Sequence, residues 1–421
     1  MLEISTQKEV YALGKYVGVF EDTSAVVTFD EIRSSQFQNK FERSDVDALN
    51  YGVTPSVLWI KIQLKNLEPN PNIQWLISLD YPLFDYVNFY QKNPKGEWVV
   101  QKTGDKFPYS ERQIPDRNFV FATHFPYDTV STFYLRFETN GSMQITPSLY
   151  RERAYLVSNN NAEIAYGLFF GGMMIIMLYN LFLFFSLKDV AYLAYCIFIV
   201  ASFSLQAAYS GHFIKYWYGD NPYWANLMIP LIMVINPITM AIFSIIFLKT
   251  KKFAPLWHKI LIGIIGVGCV HFVLIFYLPI IKSIPFSGLI TTVALFAVFF
   301  AGIAAYRKGN KSARFYLVAW FLLIIVALLA AFRLFGVVPS NNLTVHGVKL
   351  AILSEIVLLA LALADKYNIF RKEKEDAQQK ILQMQEEANK VLEEKVEQRT
   401  VELAEANHKL SNTLSKVEEE R

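Results

Sequence analysis

Short runs of alternating apolar and polar residues extend through positions 1–158. The clearest run places aliphatic side chains at every second position: Leu58, Ile60, Ile62 and Leu64. Residues 75–80 and 133–138 repeat the alternation, and Asn93-Pro94-Lys95-Gly96 separates two further runs in the manner of a hairpin. A period of two is typical of half-buried strands. The pattern therefore predicts an all-β, antiparallel sandwich over 1–158.

Between 159 and 367 the alternation gives way to long apolar stretches with short connections. A helix that crosses a bilayer needs about 20 consecutive, mostly apolar residues. Seven stretches meet that requirement: 163–186, 190–210, 226–248, 260–280, 285–305, 315–336 and 346–367. We therefore expect a membrane domain of seven transmembrane helices.

Basic residues are distributed unevenly among the loops between these stretches. The loops after the first, third and fifth stretches hold nine: Lys188, Lys249, Lys251, Lys252, Lys259, Arg307, Lys308, Lys311 and Arg314. The loops after the other three hold two, Lys215 and Lys282. Because basic loops stay in the cytoplasm, we expect a bacterial inner-membrane protein with residues 1–158 outside and the C-terminus inside. No signal-peptide pattern opens the chain, so we expect an export signal upstream of Met1 in the natural protein.

Residues 368–421 are highly charged and contain neither proline nor glycine. From Val396 onward, one row of residues steps alternately by four and three positions: Val396, Thr400, Leu403, Asn407, Leu410, Leu414 and Val417. This spacing is a heptad seam, which predicts a parallel, homodimeric coiled coil; a solvated single helix is the alternative. Upstream, the apolar residues Met384, Ala388 and Leu392 are each four positions apart, as are Leu392 and Val396. Consecutive steps of four shift the heptad register, as a stutter does. We hypothesise that the stutter helps to convert helix rotation or tilt into an output.

The overall composition supports this three-part division. Hydrophobic residues make up 53% of the 421 positions and charged residues 18%, with a mean hydropathy of +0.26. Residues 161–365 hold only 13 of the 40 Lys and Arg and 5 of the 37 Asp and Glu. A net charge of +3 is too small to indicate nucleic acid as a partner. Cys196 and Cys269 both lie in apolar stretches, which argues against a disulfide framework.

The sequence contains no motif that indicates catalysis. It has no Gly-rich phosphate loop, nucleophile elbow, HExxH zinc motif or kinase signature, so we expect this chain to be no enzyme and to hold no cofactor or metal. Asp80 and Asp105 leave one alternative, because carboxylates in turns can bind calcium. A transporter is the alternative to a signalling protein; interrupted helices are one of its signs, and Asn236-Pro237 is one such interruption.

The alternation also indicates a candidate ligand surface on the β-domain. Trp59 falls on the polar side of its strand, away from the aliphatic row. Aromatic and polar residues that share such a face can stack on a sugar and hydrogen-bond to it. The candidates are Trp59, Gln63, Tyr90, Tyr134 and Arg136. The alternative is that the N-terminal segment or a loop covers Trp59.

Three polar residues inside the apolar stretches are candidates for an intramembrane role: Glu355, His271 and Asn180. Polar groups at membrane depth are costly and often functional. At about 1.5 Å per residue, Glu355 lies roughly 13 Å into the seventh stretch, and His271 lies near the middle of the fourth. We hypothesise that Glu355 faces the bundle interior and accepts a hydrogen bond from a partner such as His271. A protonated Glu355 satisfied by one serine or asparagine is the alternative.

Several motifs, in order along the chain, resemble a known receptor family. They are Gly52-Val53-Thr54, Leu58-Trp59-Ile60-Lys61-Ile62, Asn66, Asp80-Tyr81-Pro82-Leu83, Tyr90, Trp98, Thr103-Gly104-Asp105, Arg112 and Tyr179-Asn180. Together with seven following helices, they are similar to bacterial seven-transmembrane receptors with diverse intracellular signalling modules. The resemblance implies a jelly-roll sandwich related to carbohydrate-binding modules, and a receptor role. It also adds Arg112 to the candidate ligand-binding residues.

The segment from Val396 to Leu410 resembles the linkers that precede bacterial diguanylate cyclases, histidine kinases and nucleotide cyclases. His408 lacks the Ser-His-Glu-Leu-Arg-Thr-Pro context of a phospho-acceptor site, so we expect it to be an exposed coiled-coil position. The chain stops in mid-heptad, which leads us to expect an output domain beyond Arg421. The overall expectation is a homodimeric receptor that binds a small, carbohydrate-type ligand outside. Seven helices would carry the signal across the bilayer to an effector attached to the tail.

Overall fold

A computed structural model of the chain describes residues 1–5, 7–70, 73–334 and 342–419. The chain divides into two compact units, Met1–Leu361 and Ala362–Arg421. The first unit contains a β-domain followed by a bundle of apolar helices, and the second unit is helical.

The β-domain contains thirteen strands within the described ranges. They are β1 (Leu2–Ile4), β2 (Val10–Ala12), β3 (Val17–Asp22), β4 (Glu42–Arg43), β5 (Leu49–Val53), β6 (Val57–Asn66), β7 (Trp75–Leu79), β8 (Tyr86–Lys92), β9 (Trp98–Thr103), β10 (Phe119–Thr123), β11 (Val130–Glu138), β12 (Ser142–Ile145) and β13 (Pro147–Arg151). Two short helices, α1 (Phe29–Ile32) and α2 (Ser35–Gln38), lie between β3 and β4. Thr28 begins α1 with a capping box, in which Thr28 and Glu31 each bond the other's backbone N–H.

The strands form two main sheets that share one core. The larger sheet has the order β4-β3-β6-β11-β8-β9, with β1 paired in parallel to the end of β6. The second sheet has the order β10-β7-β13-β2, and β5 pairs with β12 in a separate ribbon. Apart from β1, the strand pairs are antiparallel. The predicted β-sandwich is therefore confirmed.

The core between the sheets consists of the side chains that the alternation predicted to point inward. The aliphatic row of β6 has no exposed surface: Leu58, Ile60, Ile62 and Leu64. These side chains share a core with apolar residues of β7 and β11: Trp75, Ile77, Leu79, Phe133, Leu135 and Phe137. The predicted hairpin joins β8 to β9. Gly96 in its turn has φ +82°, a left-handed conformation that glycine adopts without strain.

Eight helices follow the sandwich within the described residues. They are α3 (Glu152–Leu187), α4 (Val190–Tyr209), α5 (Pro222–Leu248), α6 (Thr250–Phe253), α7 (Pro255–Leu274), α8 (Ile280–Arg307), α9 (Ala313–Leu334) and α10 (Asn342–Glu419). Six helices of the described chain are long and apolar enough to cross a membrane, and α9 adds a shorter apolar stretch at 313–329. Each of the seven predicted stretches overlaps one of these seven apolar helices.

The helix ends follow local chemistry. The Asp189 carboxylate accepts a bond from the Ala191 N–H at 2.9 Å and begins α4, and α5 begins at Pro222, the preferred first position for proline. The fourth predicted stretch ran too far, to residue 280. α7 ends at Leu274, because the apolar residues after it form a turn and Pro279, which cannot continue a helix, is the N-cap of α8.

Helix α5 is central to the bundle, since it packs against α4, α7 and α8. Asn236 on α5 donates from Nδ2 to Ser202 Oγ on α4, at 2.9 Å. Helices α8 and α9 approach closely at Gly302, where an added Cβ would lie 2.8 Å from the ring of Tyr316. Between α4 and α5, residues Ile214–Tyr218 form a single wide, π-type turn.

The second unit is the C-terminal part of α10. Four of the predicted seam residues have more than half of their surface exposed: Val396, Leu403, Leu410 and Leu414. Asn407 and Thr400 are exposed as well, whereas the Val417 side chain lies outside the described residues. A row of exposed apolar side chains on a single helix is the surface that a coiled-coil partner would cover. The coiled coil and the dimer stay predictions.

Candidate functional site

Four aromatic side chains meet on the outer face of the larger sheet. Trp59 of β6 and Tyr90 of β8 form a flat platform, with ring centroids 5.8 Å apart and planes inclined by 28°. Tyr134 of β11 lies opposite Tyr90 in the strand register, and Trp98 of β9 lies 5.7 Å from Tyr134. We call these four residues the aromatic cradle. The structure thus brings together three of the predicted ligand residues and adds Trp98, which was not among them.

The aromatic cradle is covered by residues 23–41, which we call the covering segment. Phe29 lies flat on Tyr90, with ring centroids 3.9 Å apart and planes inclined by 8°. Trp59 has no exposed surface, and its indole Nε1 has no hydrogen-bond partner among the described residues. The prediction of an open surface at Trp59 is therefore wrong, because Phe29 and Ile32 bury the indole. The covered arrangement was the stated alternative.

Polar contacts fasten the covering segment to the sheet. Gln38 Nε2 lies 2.7 Å from the Ile32 carbonyl oxygen and 3.1 Å from the Tyr134 hydroxyl. Lys61 Nζ donates to Gln38 Oε1 at 2.5 Å, and partial burial lowers the pKa of Lys61. The segment is thus held at one end by Gln38 and at the other by the packing of Phe29.

Gln63 and Arg136 lie on the same face of the sheet but beside the aromatic cradle. Both side chains are half-buried. Arg136 Nη1 donates to Glu138 Oε2 at 2.8 Å, so its charge is already paired. These two residues supply polar groups at the edge of the covered region.

Arg112 lies away from this face, so the structure does not bring it together with the other candidate ligand residues. It lies in the loop between β9 and β10, and its Nη1 donates to the carbonyl oxygens of Asp116 at 2.7 Å and Arg117 at 3.2 Å. Its guanidinium carbon lies 4.4 Å from the ring centroid of Phe119. Arg112 therefore stabilises that loop internally.

The same loop is hydrogen-bonded to the segment between α4 and α5. The Tyr109 N–H donates to the Gly219 carbonyl oxygen at 2.9 Å, and the Ser110 N–H donates to Asp220 Oδ1 at 2.8 Å. Asn226 at the start of α5 donates to the Asp105 carbonyl oxygen at 3.2 Å. We call the contact between residues 105–118 and 211–226 the joint. It connects the sandwich directly to the N-terminal end of α5.

Glu163 of α3 extends the joint to a third helix. Its Oε1 lies 3.4 Å from Arg117 Nε and 3.5 Å from Lys215 Nζ, and its Oε2 lies 3.2 Å from His212 Nε2. Burial lowers the pKa of His212 in spite of the carboxylate beside it. One carboxylate on α3 therefore contacts both the sandwich, through Arg117, and the α4–α5 segment.

Two ionisable groups in the joint are buried without full pairing. Burial, with a contribution from the nearby Asp85, raises the pKa of Asp105 well above its usual range. Burial also lowers the pKa of Arg112 to about 10. Asp105 Oδ1 and the Nε and Nη2 atoms of Arg112 have no hydrogen-bond partner among the described residues. Buried polar groups without a hydrogen-bond partner are unfavourable. These atoms therefore reduce the stability of the joint in this arrangement, and its other contacts must compensate for them.

The calcium alternative finds no support in the geometry. Asp80 is the neighbour of Ser78 and Asn118, whereas Asp105 is the neighbour of Asp85 and Arg112. Within the described ranges, no group of three or more His, Cys, Asp or Glu side chains is placed to hold a metal ion.

Inside the bundle, the predicted polar residues lie apart from one another. His271 Nε2 lies 3.0 Å from Ser287 Oγ on α8, and α7 packs mainly against α5 and α8. The hypothesised pairing of Glu355 with His271 is therefore wrong, because a similar depth in the membrane does not make two helices neighbours. Asn180 donates from Nδ2 to the Ile176 carbonyl oxygen at 2.8 Å, so its own helix satisfies it.

Glu355 on α10 is buried near two tyrosines that the sequence did not single out, Tyr195 and Tyr316. It is 3% exposed, and its Oε1 has no hydrogen-bond partner among the described residues. Tyr195 of α4 donates its hydroxyl to the Ile356 carbonyl oxygen. The Tyr316 hydroxyl of α9 lies 2.8 Å from Ser244 Oγ of α5. In the sequence, a tyrosine within an apolar stretch looks like any other core residue. Its hydroxyl, however, needs a hydrogen-bond partner at membrane depth. That requirement is the feature of the sequence that could have identified these tyrosines as part of a polar cluster.

Two protein-family models match the chain. The model described as 7TM diverse intracellular signalling matches residues 162–366, and the model described as 7TMR-DISM extracellular 2 matches residues 14–151. The first match coincides with the helical bundle and the second with most of the β-domain. No curated protein matches the chain.

Proposed function

This chain belongs to the seven-transmembrane receptors with diverse intracellular signalling modules, and from that we propose that it senses a carbohydrate-type ligand outside the cell and controls a cytoplasmic effector. The family and the fold make it a multi-pass membrane protein, a signalling receptor with an extracellular β-sandwich. The ligand class, the orientation in a bacterial inner membrane, the dimeric tail and the effector are our proposal.

The joint is the observation that carries the receptor mechanism. It bonds the sandwich to the α4–α5 segment through main-chain and side-chain hydrogen bonds, and to α3 through Glu163. A shift of the sandwich upon ligand binding must therefore move the ends of these helices or break those bonds. The nine-to-two excess of basic residues in alternate loops supports a location of this end of the bundle outside the cytoplasm.

A carbohydrate-type ligand is supported by the side chains on the outer face of the larger sheet. Aromatic rings stack on the apolar faces of sugars, and the aromatic cradle gathers four of them in one place. Gln63 and Arg136 at its edge supply hydrogen-bonding groups. A jelly-roll arrangement of the sandwich, related to carbohydrate-binding modules, is part of this proposal.

The output end is proposed to be a parallel, dimeric coiled coil. The exposed seam from Val396 to Leu414 is the surface that a second chain would cover, and Asn407 at a seam position favours a dimer with fixed register. The effector would be a diguanylate cyclase, a nucleotide cyclase or a histidine kinase that follows the tail. In this proposal the chain itself transmits the signal and catalyses no reaction.

A reporter chimera tests the proposal. Residues 1–421 are joined in heptad register to a nucleotide cyclase, and right-side-out vesicles are exposed to cellohexaose, laminarihexaose, maltohexaose and chitohexaose. We expect at least one sugar to change nucleotide synthesis severalfold, as a shift of a two-state population would. Uptake of a sugar by proteoliposomes without any change in the reporter would contradict the receptor and favour the transporter.

A further inference from the structure

Phe29 occupies the aromatic cradle as a bound ring would. It lies flat on Tyr90 at 3.9 Å and roughly parallel to Trp59, with planes inclined by 20°. Trp98 and Tyr134 stand beside it at 5.2 and 5.8 Å, with planes inclined by 77° and 78°. A flat base with two upright walls is an arrangement that holds the apolar face of a planar or pyranose ring.

One polar atom of the aromatic cradle is unsatisfied while Phe29 is in place. Trp59 is completely buried, and its Nε1 has no hydrogen-bond partner among the described residues. A buried N–H without an acceptor costs free energy. The phenyl ring of Phe29 carries no acceptor atom, whereas a ring with hydroxyl groups does.

The covering segment is attached through few buried contacts. α1 and α2 are four residues long, and Ile32 is the only residue of the covering segment that is buried; Phe29, Phe37 and Phe41 are half-buried. Val26, before α1, is 74% exposed. Short segments with few buried contacts open locally at a small fraction of the free energy of global unfolding.

We propose that the aromatic cradle is a pyranose-binding site that the chain closes with its own Phe29, so that the ligand and Phe29 compete for one position. The inference rests on the carbohydrate ligand of the proposed function, and it adds where that ligand binds and what limits its access. When a site is open in only a fraction of the molecules, the apparent affinity falls by that fraction. Removal of the Phe29 ring must therefore strengthen binding.

Binding of the four hexaoses to the full chain in nanodiscs tests the competition. We expect Phe29→Ala to bind at least one hexaose about tenfold more tightly than the unaltered chain. Val26→Ala is the matched control: Val26 lies in the same covering segment but is 74% exposed, so its removal should leave the affinity unchanged. Addition of Trp59→Ala to Phe29→Ala should abolish the gain.

The outcomes separate this inference from the proposed function. Measurable binding of a hexaose with the same affinity by Phe29→Ala and by the unaltered chain would overturn the competition and leave the carbohydrate receptor standing. Failure of Phe29→Ala to bind any of the four sugars would overturn the site itself.

Hydrogen exchange in the unaltered chain gives a test that does not depend on a variant. Amides of residues 29–38 should exchange about a hundredfold faster than those of residues 59–63 in β6, because the covering segment opens separately from the sheet. A hexaose that binds should increase exchange in 29–38 further, since it displaces Phe29. Exchange of the covering segment as slow as that of β6 would overturn the proposal.

Discussion

The backbone N–H of Ser110 donates to the carboxylate of Asp220 at 2.8 Å, which joins a loop of the β-sandwich to the turn before α5. The two residues are separated by 110 positions in the chain. This bond lowers the pKa of Asp220, as expected when an N–H stabilises the charged form of a carboxyl group. Next to it, Tyr109 bonds Gly219 through the main chain. Two adjacent hydrogen bonds therefore connect the sandwich to the turn before α5.

Replacement of Asp220 tests whether this connection transmits the signal. Asp220→Ala removes the acceptor, so we expect the Ser110 amide to exchange severalfold faster and the sugar response of the reporter chimera to decrease. Asp220→Asn is the matched control, since its side-chain oxygen can still accept the bond. Hydrogen exchange with mass spectrometry measures the first effect. An unchanged Ser110 exchange rate in Asp220→Ala would show that the bond does not stabilise the joint.

The buried Asp105 predicts how the stability of the joint depends on pH. Burial and the neighbouring Asp85 raise the pKa of Asp105 in the folded protein. The folded protein therefore binds this proton more tightly than the unfolded chain does, and protonation of Asp105 stabilises the fold. This contribution to the free energy of unfolding is complete below the pKa of an unfolded aspartate, about 4, and it is lost as the pH rises through the raised pKa. We expect the thermal unfolding temperature in nanodiscs to fall over that range, and Asp105→Asn to reduce the fall.

Two further carboxyl groups set the size of that effect. Burial also raises the pKa values of Asp80 and Asp85, so Asp105→Asn should reduce the pH dependence and not remove it. Lys106 and Arg112 face Asp105 with the opposite charge and diminish its shift. Asp45→Asn, at an exposed position, is the control and should leave the slope unchanged. A slope in Asp105→Asn equal to that of the unaltered chain would contradict the assignment.

The alternation of apolar and polar residues correctly predicted the inner, core-facing side of the larger sheet, but it predicted the surroundings of its outer side only in part. In β6, the aliphatic residues point into the core and Trp59 points outward, as predicted. The cover over Trp59 comes from α1 and α2, which precede β6 in the chain. A period of two states which side of a strand a residue faces, but it contains no information on which distant segment packs there. The same limit applies to Arg112, whose side chain stabilises its own loop.

The bundle shows the corresponding limit for helices. The lengths of the apolar stretches in the sequence identified the helices, because the thickness of the bilayer fixes how many residues a transmembrane helix requires. Which helices become neighbours depends on which of their faces pack together, and the hydropathy of the sequence contains no information on that. The sequence therefore suggested His271 as the partner of Glu355, whereas His271 lies within hydrogen-bond distance of Ser287, and it did not single out Tyr195 and Tyr316.

The seam of the tail predicts which positions form cross-links between two chains. In a background in which Cys196 and Cys269 are replaced by serine, Leu403→Cys and Leu410→Cys should form disulfide-linked dimers rapidly, because facing seam residues of a parallel coiled coil are adjacent. Glu405→Cys lies on the opposite side of the helix and is the control. Non-reducing electrophoresis measures the dimer fraction. Equal cross-linking at all three positions would indicate random collision and contradict the coiled coil.

Glu355 predicts a difference between two substitutions at one buried position. Its side chain is 3% exposed, and among the described residues its Oε1 has no hydrogen-bond partner and the side chain forms no ion pair. Burial of an unpaired carboxylate costs several kcal/mol, so we expect the side chain to be the neutral acid. Glu355→Gln keeps the shape and the neutrality, and should change the free energy of unfolding by less than about 1 kcal/mol. Glu355→Lys introduces a charge and should destabilise the bundle by about 3 kcal/mol or more.

Thermal unfolding in nanodiscs measures both effects, and the reporter chimera then separates structure from mechanism. Glu355→Gln cannot release a proton, so a fold that is retained together with an altered sugar response would mean that the acid takes part in the switch between states. An unchanged response would restrict Glu355 to a structural role in the bundle. If glutamine destabilises the bundle as strongly as lysine does, the carboxyl group is charged and must have a partner, and the argument from burial is wrong.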